Sequence, residues 1–283
     1  MNYILKSHHA KLHLDKTVVM GILNATPDSF SDGGDYFSTK NAISKSLKLI
    51  KEGAQIIDIG GESTGPKSKD VSIEEEYRRV IPVIQGLRKK NKATWISIDT
   101  WKAPIAEAAL NAGANMVNDV TALRGDPQMG PLIAEKKVPL VLMYAKDATP
   151  RTTLKKKSYS NVLKTIHYFL ETRIEMAQNL GIKKSHIILD PGMGAFISTI
   201  PKYSFEILAH LKNFTDLGCP LLIGASRKSF LVDSLDSKIP KNRLLESLIA
   251  AAIAALNNAS ILRVHDVCET VQTLNFIAKL KRE

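Results

Sequence analysis

Cysteine is almost absent, with only Cys219 and Cys268 in 283 residues. One is expected at a strand entrance and the other in a helix, which gives neither a disulfide framework nor a zinc-type cluster and fits a reducing compartment. Long apolar runs are also missing. No window comes near the roughly 18 uninterrupted apolar residues of a membrane-spanning helix, and residues 1–15 are polar and histidine-rich without the apolar centre of a signal peptide. The expected location is the cytoplasm, and no membrane partner is expected. There is no GxxxxGKS phosphate loop and no HExxH metal helix. The nearest approach to a GxSxG nucleophile elbow has Lys228 where its second glycine should stand. Lys and Arg outnumber Asp and Glu by 39 to 28, yet no helix-turn-helix, zinc or aromatic stacking motif accompanies the formal charge of +11. Nucleic acid is therefore not an expected partner.

What the chain does have is a repeated alternation of short apolar runs and helix-like segments. The runs cover 18–24, 55–60, 94–99, 115–119, 138–143, 186–190, 220–225 and 260–264, and they end at Asn24, Asp58, Asp99, Asn118, Met143, Asp190, Ser226 and Arg263. Runs that are apolar throughout suit strands buried on both faces, as in a parallel sheet. Between them, helical spacing is clear over 39–53 (Ile43, Leu47, Ile50, with Gly53 as the stop) and from Val162 to a stop at Gly181. Further helices are expected at 102–113, 128–136, 243–257 and from 267 onward, and Ser72 with Glu75 makes a capping box for a helix reaching residue 90. The implied fold is α/β: a single-domain (β/α)8 TIM barrel over 18–283, with residues 1–17 as a hairpin-like extension closing its other end. In such a barrel the carboxyl ends of all strands share one face, where active sites are built, so these polar run-ends should meet.

Several of the segments at those ends are distinctive: GILNATPDSFSDGG at 21–34, DIGGEST at 58–64, SIDT at 97–100, ND at 118–119, ILDPG at 188–192, ASRKSF at 225–230 and RVHDV at 263–267. In order and position, they resemble the dihydropteroate synthase family, which joins a dihydropterin methyl diphosphate to p-aminobenzoate in folate biosynthesis. The resemblance spans 21–267. It implies pterin contacts from Asp99, Asn118, Asp190 and Lys228, and diphosphate contacts from Asn24, Thr64, Arg263 and His265. It further implies aminobenzoate contacts from Phe30, Ser63, Pro66 and Ser229, and a Mg2+ ion on Asn24. Asp28, in the loop over 25–38, is the candidate for stabilising a pterin methylene cation, with Lys228 as the other catalytic candidate. The family forms homodimers through its later helices, so a homodimer is implied.

The chemistry of the residues agrees with these roles. The 2-amino-4-oxo edge of a pterin offers adjacent donors and acceptors that carboxylates and an amide satisfy in pairs, most strongly in a desolvated pocket. Taken singly, each such residue could instead cap a helix; Asp190, however, precedes Pro191 and Gly192, a turn. Arg263 and His265 stand where barrels often bind phosphate, near strands seven and eight, and a diphosphate leaving group needs cations and donors where negative charge accumulates. Departures from the family pattern are equally specific. Gly65 replaces an arginine before Pro66, Tyr144 replaces a histidine, and Ala195 replaces an aromatic that Phe196 could supply. Lys146 or Arg151, on a segment at 144–157 expected to be mobile, could restore the missing charge. Two other readings are a pterin-binding barrel acting as carrier or regulator, and a pterin-dependent transferase with a different acceptor, such as a methyltransferase with a corrinoid partner. The segment 247–259, with Leu248, Ile249, Ile253 and Leu256, is either core or a subunit face.

Overall fold

Eight strands each contribute one apolar side chain to a common layer at the centre of the protein. The computed structural model describes residues 3–7, 10–25, 34–66, 68–232 and 242–280. Its parallel strands are β3 (Val18–Asn24), β4 (Ile56–Gly60), β5 (Trp95–Asp99), β6 (Met116–Asp119), β7 (Leu140–Met143), β8 (Ile187–Asp190), β9 (Leu222–Ile223) and β10 (Ile261–Val264). They run in the order β8-β7-β6-β5-β4-β3-β10-β9, and a parallel bridge between Leu189 and Leu221 brings the two ends together. Met20, Ile56, Trp95, Met116, Val141, Ile188, Leu222 and Ile261 pack in one cluster inside this ring. A larger apolar cluster lies between the strands and their surrounding helices. The result is the (β/α)8 barrel that the alternation implied.

The amino-terminal residues add two antiparallel strands, β1 (Ile4–Ser7) and β2 (Ala10–His13), with Ile4 opposite His13. Leu5 and Leu14 from this segment join the inner barrel layer next to Val18, so the hairpin packs against the end where the strands begin.

The helices are α1 (Gly34–Lys51), α2 (Ile73–Lys90), α3 (Ala103–Asn111), α4 (Met129–Lys136), α5 (Val162–Asn179), α6 (Pro201–Ala209), α7 (Leu244–Leu256) and α8 (Val267–Leu280). Helix α1 ends as its sequence suggests. Gly53 takes φ +108°, and the amides of Gly53 and Ala54 donate back to Ile50 and Leu49, the paired bonds of a Schellman cap. Ser72 accepts from the Glu75 amide at 3.1 Å to begin α2. The other half of the expected capping box is replaced, because the Glu75 carboxylate pairs with Arg78 and Arg79.

Three elements differ from expectation. Helix α1 begins at Gly34 rather than near residue 39, so 34–38 belong to the helix and not to the loop before it. Residues 197–219 are not a plain connection: Pro201 opens α6, and a 3-10 segment at Leu211–Leu217 follows. Proline at a first helical position is the signal that marks this helix. The seventh barrel strand is only Leu222–Ile223 rather than 220–225, since Pro220 has no N–H to give to a ladder and the chain turns sharply at Arg227.

Candidate active site

The strands alternate inward and outward, so moving two residues beyond the apolar layer on each strand reaches the next inward position. Those positions hold Asp58 on β4, Ser97 on β5, Asn118 on β6, Asp190 on β8 and Arg263 on β10. The barrel interior therefore changes from apolar to charged within one step toward its carboxyl end. Asp99, Ser226 and His265 stand one further step out.

Arg263 is the centre of this layer. Its Nε donates to Asp58 Oδ2 at 2.6 Å and its Nη2 to Asp99 Oδ2 at 2.6 Å. Asn118 Nδ2 donates to the same Asp58 oxygen at 3.1 Å. Asp58 is fully buried, and its Oδ1, like Ser97 Oγ, has no hydrogen-bond partner among the described residues. Burial, only partly offset by Arg263 and reinforced by the neighbouring Asp58, pushes the Asp99 carboxyl up to about 7. Burial also works against the charge on Arg263, but Asp58 and Asp99 outweigh it and hold the guanidinium firmly in its charged form.

Asp190 and Lys228 face the same space. Asp190 is buried, which raises its carboxyl, while Lys228, the Gly192 amide and Arg263 pull it back. Its Oδ1 accepts from the Gly192 N–H at 2.7 Å. Burial brings the Lys228 ammonium down to about 8 despite Asp190. Lys228 Nζ donates to Met193 O at 3.1 Å and stands 5.1 Å from the centre of the Phe196 ring. Phe196 packs against Val120, Met143 and Ala145, so an aromatic does lie against the pocket although Ala195 occupies the neighbouring position. Lys228 is aimed by the residue before it: Arg227 has φ +60°, a conformation that costs energy in any residue with a Cβ. It is held there by its ion pair with Asp266 and by its amide bond to Ser247 Oγ at 2.9 Å.

His265 differs from expectation in charge. Desolvation, with Arg263 and Arg227 nearby, lowers its imidazole to about 4, so at neutral pH it is uncharged. The His265 amide donates to Ser226 Oγ at 3.2 Å, and that hydroxyl lies 3.2 Å from Nδ1. Either Nδ1 or the Ser226 hydroxyl can be the donor in that contact. His265 is thus a neutral polar group, and Arg263 is the cation of this pair.

Asn24 lies exposed at the end of β3. Ser63, Thr64 and Pro66 occupy the loop after β4, and Ser229 begins a 3-10 turn after β9. No hydrogen bond joins these five to the Arg263 cluster among the described residues. Asp28 and Phe30 lie outside the described residues. The segment 144–157 runs otherwise than as a free loop. Lys146 Nζ, nearly inaccessible, donates to Asp147, Thr152 Oγ1, Thr153 O and Ala195 O at 2.7–3.0 Å. Arg151 pairs with Glu62 and Asp70. Neither cation is free to replace the arginine absent at Gly65, because both are already neutralised by carboxylates or held by carbonyls. Asp58 is the residue that sequence reasoning left without a role. It ended an apolar run, and the inward period of β4 was the signal.

A parallel barrel with buried carboxylates, an amide and two cations gathered at its carboxyl end defines a class of heterocycle-binding enzymes. The family described as pterin binding enzyme matches residues 20–265, which take in nearly all of the barrel. Dihydropteroate synthase of Synechocystis sp. is 41% identical over 252 residues, 89% of this chain and 86% of that protein. The Escherichia coli dihydropteroate synthase is 40% identical over 266 residues, 94% and 92% respectively. Two structures of the Xanthomonas albilineans dihydropteroate synthase superpose closely. The one with 4-aminobenzoic acid has a TM-score of 0.92 at 39% identity and covers 100% of both chains; the complex with 7,8-dihydropteroate has 0.87 at 38% and 99% of both. The chain belongs to the dihydropteroate synthase family.

Proposed function

We propose that this chain condenses 7,8-dihydropterin-6-ylmethyl diphosphate with p-aminobenzoate, giving 7,8-dihydropteroate and diphosphate. The observation that carries the reading is the buried layer of Asp58, Asn118, Asp190 and Arg263, with Asp99 and Lys228, in a chain of this family. Asp99, Asn118 and Asp190 take the donors and acceptors of the pterin edge, and Lys228 donates to a ring oxygen or nitrogen. Asn24, Thr64, His265 and the free edge of Arg263 face the diphosphate. As the methylene carbon–oxygen bond breaks, its electron pair leaves with the diphosphate, and the aniline nitrogen gives its lone pair to the carbon and then loses a proton. No protein nucleophile enters. Ser63, Pro66 and Ser229, with Phe30, form the acceptor side, and Asp28 stabilises the developing cation.

Magnesium belongs to this reading through Asn24. Mg2+ keeps several waters and takes one or two protein oxygens together with substrate phosphates. The described residues contain no group of three or more His, Cys, Asp or Glu placed to hold a metal, whereas an exposed amide oxygen at the end of β3 fits an ion shared with a diphosphate. Such an ion, when bound, would neutralise leaving-group charge.

A homodimer is also part of the proposal. Helix α7 turns Ser247, Ala250, Ala251, Ala254 and Ala255 inward, while Leu245, Ile249, Ile253 and Leu256 are exposed, as are Phe276 and Leu280 on α8. An outward stripe of large apolar side chains on a helix with a small-residue core face suits a subunit contact. No described helix is long and apolar enough to cross a membrane, and we place the protein in the cytoplasm with small molecules as its partners.

The test is diphosphate release by the purified protein with magnesium and the pterin diphosphate, with and without p-aminobenzoate, and the product identified by mass. Aminobenzoate-dependent release with dihydropteroate formed is expected. Tight pterin binding without release would transfer the assignment to another acceptor or to a carrier role, and no pterin binding would overturn it.

A further inference from the structure

The segment between β7 and α5 ties the turn after β8 to the loop after β4 as a strap. At one end it is fixed to the turn after β8: Lys146 N donates to Phe196 O at 2.8 Å, and Lys146 Nζ and Thr152 Oγ1 donate to Ala195 O at 2.7 and 2.8 Å. At the other end it grips the loop after β4. Arg151 donates to Glu62 Oε1, to Asp70 Oδ1 and, at 2.8 Å, to Lys69 O, and the Thr152 amide donates to Thr64 O at 3.2 Å.

Glu62 is itself fixed from behind. Its other oxygen accepts from Lys102 Nζ at 2.7 Å, and Lys102 also donates to Glu76 Oε2 at 2.7 Å and Val71 O at 2.6 Å. Glu62, Lys102 and Glu76 are all nearly inaccessible. Two carboxylates around one lysine leave a net negative charge in a desolvated place, and Arg151 is the cation that balances it. The guanidinium holds Glu62, Lys69 and Asp70 together, and Ser63, Thr64, Gly65 and Pro66 lie between them in sequence. Its flat fork of donors matches several acceptors at once, which a lysine ammonium cannot do.

We propose that Arg151 is a positioning residue for acceptor specificity: it sets the conformation of the loop after β4 by binding Glu62, Lys69 and Asp70 at once, in a chain that carries Gly65 where the family pattern has an arginine. The inference rests on the reading that Ser63 and Pro66 face the acceptor. It makes two separable claims, one about loop order and one about acceptor use.

Both are read on Arg151→Ala and Arg151→Lys in the full-length protein. Hydrogen–deuterium exchange of peptides covering 61–72 tests the loop irrespective of catalysis. Exchange at least tenfold faster in Arg151→Ala is expected, with peptides from β6 and β8 unchanged; equal exchange in the 61–72 peptides would overturn the proposal. In steady-state kinetics, Arg151→Ala is expected to raise KM for p-aminobenzoate about tenfold and KM for the pterin diphosphate only about threefold, the latter through Thr64, and Arg151→Lys should recover only part of the loss. A parallel rise in both KM values, or an unchanged acceptor KM, would overturn the specificity role. If the wild-type protein gave no aminobenzoate-dependent turnover, the functional reading would fail by itself, and the exchange result would still decide whether Arg151 orders the loop.

Discussion

Replacing Asp58 with asparagine changes one charge in the buried layer and little of its shape. The carbonyl of the introduced amide can take the place of Oδ2 and still accept from Arg263 Nε and Asn118 Nδ2, while its NH2 occupies the position of Oδ1, which has no partner among the described residues. What is lost is the negative charge, and Asp99 feels it. The two carboxylates flank one guanidinium, each with a 2.6 Å contact. At roughly 6 Å and an effective dielectric of about 20–40, their repulsion amounts to roughly 1.5–3 kcal/mol, or about one to two pH units in the ionisation of Asp99. Asp99 must be ionised to accept from a pterin N–H, so the acidic limb of wild-type pterin affinity should lie near 7, with affinity falling as pH drops through that value. In Asp58→Asn the fall should begin about one to two units lower, because the repulsion that keeps Asp99 protonated is gone and Arg263 is left to it. Affinity at pH 8 should drop by about tenfold, since Arg263 exchanges a charged acceptor for a neutral one. The same shift has a sign for folding. Asp99 goes from 3.8 to about 7, so the folded protein binds the extra proton between those values, and this contribution to stability is lost as pH rises through them. Calorimetric titration with a hydroxymethyl dihydropterin from pH 5 to 9 measures the effect. A folded Asp58→Asn protein with its acidic limb unmoved would refute the coupling.

Lys228 sets the opposite limb: pterin affinity should decline as pH rises through about 8, and Lys228→Gln should lose roughly 10- to 100-fold in affinity together with that decline, read in the same titration. At Gly192, φ is +72° and an added Cβ would stand 2.4 Å from the Tyr144 carbonyl oxygen. Gly192→Ala should therefore cost roughly 2–4 kcal/mol, seen as a clear drop in Tm by scanning calorimetry; a Tm within a degree of wild type would contradict the contact. Ile249→Lys, on the outward stripe of α7, should convert a dimer to a monomer in sedimentation equilibrium, and a wild-type protein that is already monomeric at micromolar concentration would remove the proposed interface.

Much of the barrel was legible because its signals are local. Apolar runs bounded by polar ends placed every barrel strand to within two residues at each end, though the seventh is cut to two residues by the loss of both its ends. Gly53 and Ser72 marked helix ends because backbone geometry at a cap depends on one or two residues. Helix α6 was missed although Pro201 at its start was a usable signal. Asp99, Asn118, Asp190, Lys228 and Arg263 were visible as run-ends or motif residues, and the period of two along a strand is enough to turn most of them inward. Asp58 obeyed the same rule and was overlooked, because its importance lies in its partner 205 residues away.

The sequence by itself determined the order of elements, the apolar layer and the concentration of polar groups at one end of the strands, since all of these follow from short-range periodicity. Only the tertiary structure decided how those groups are paired and charged. Arg263 is shared between Asp58 and Asp99, His265 is neutral, and Lys146 and Arg151 are committed to a strap between the loops after β8 and β4. Partner choice and desolvation depend on which distant segments the closed ring brings within hydrogen-bond reach, and no local pattern encodes them.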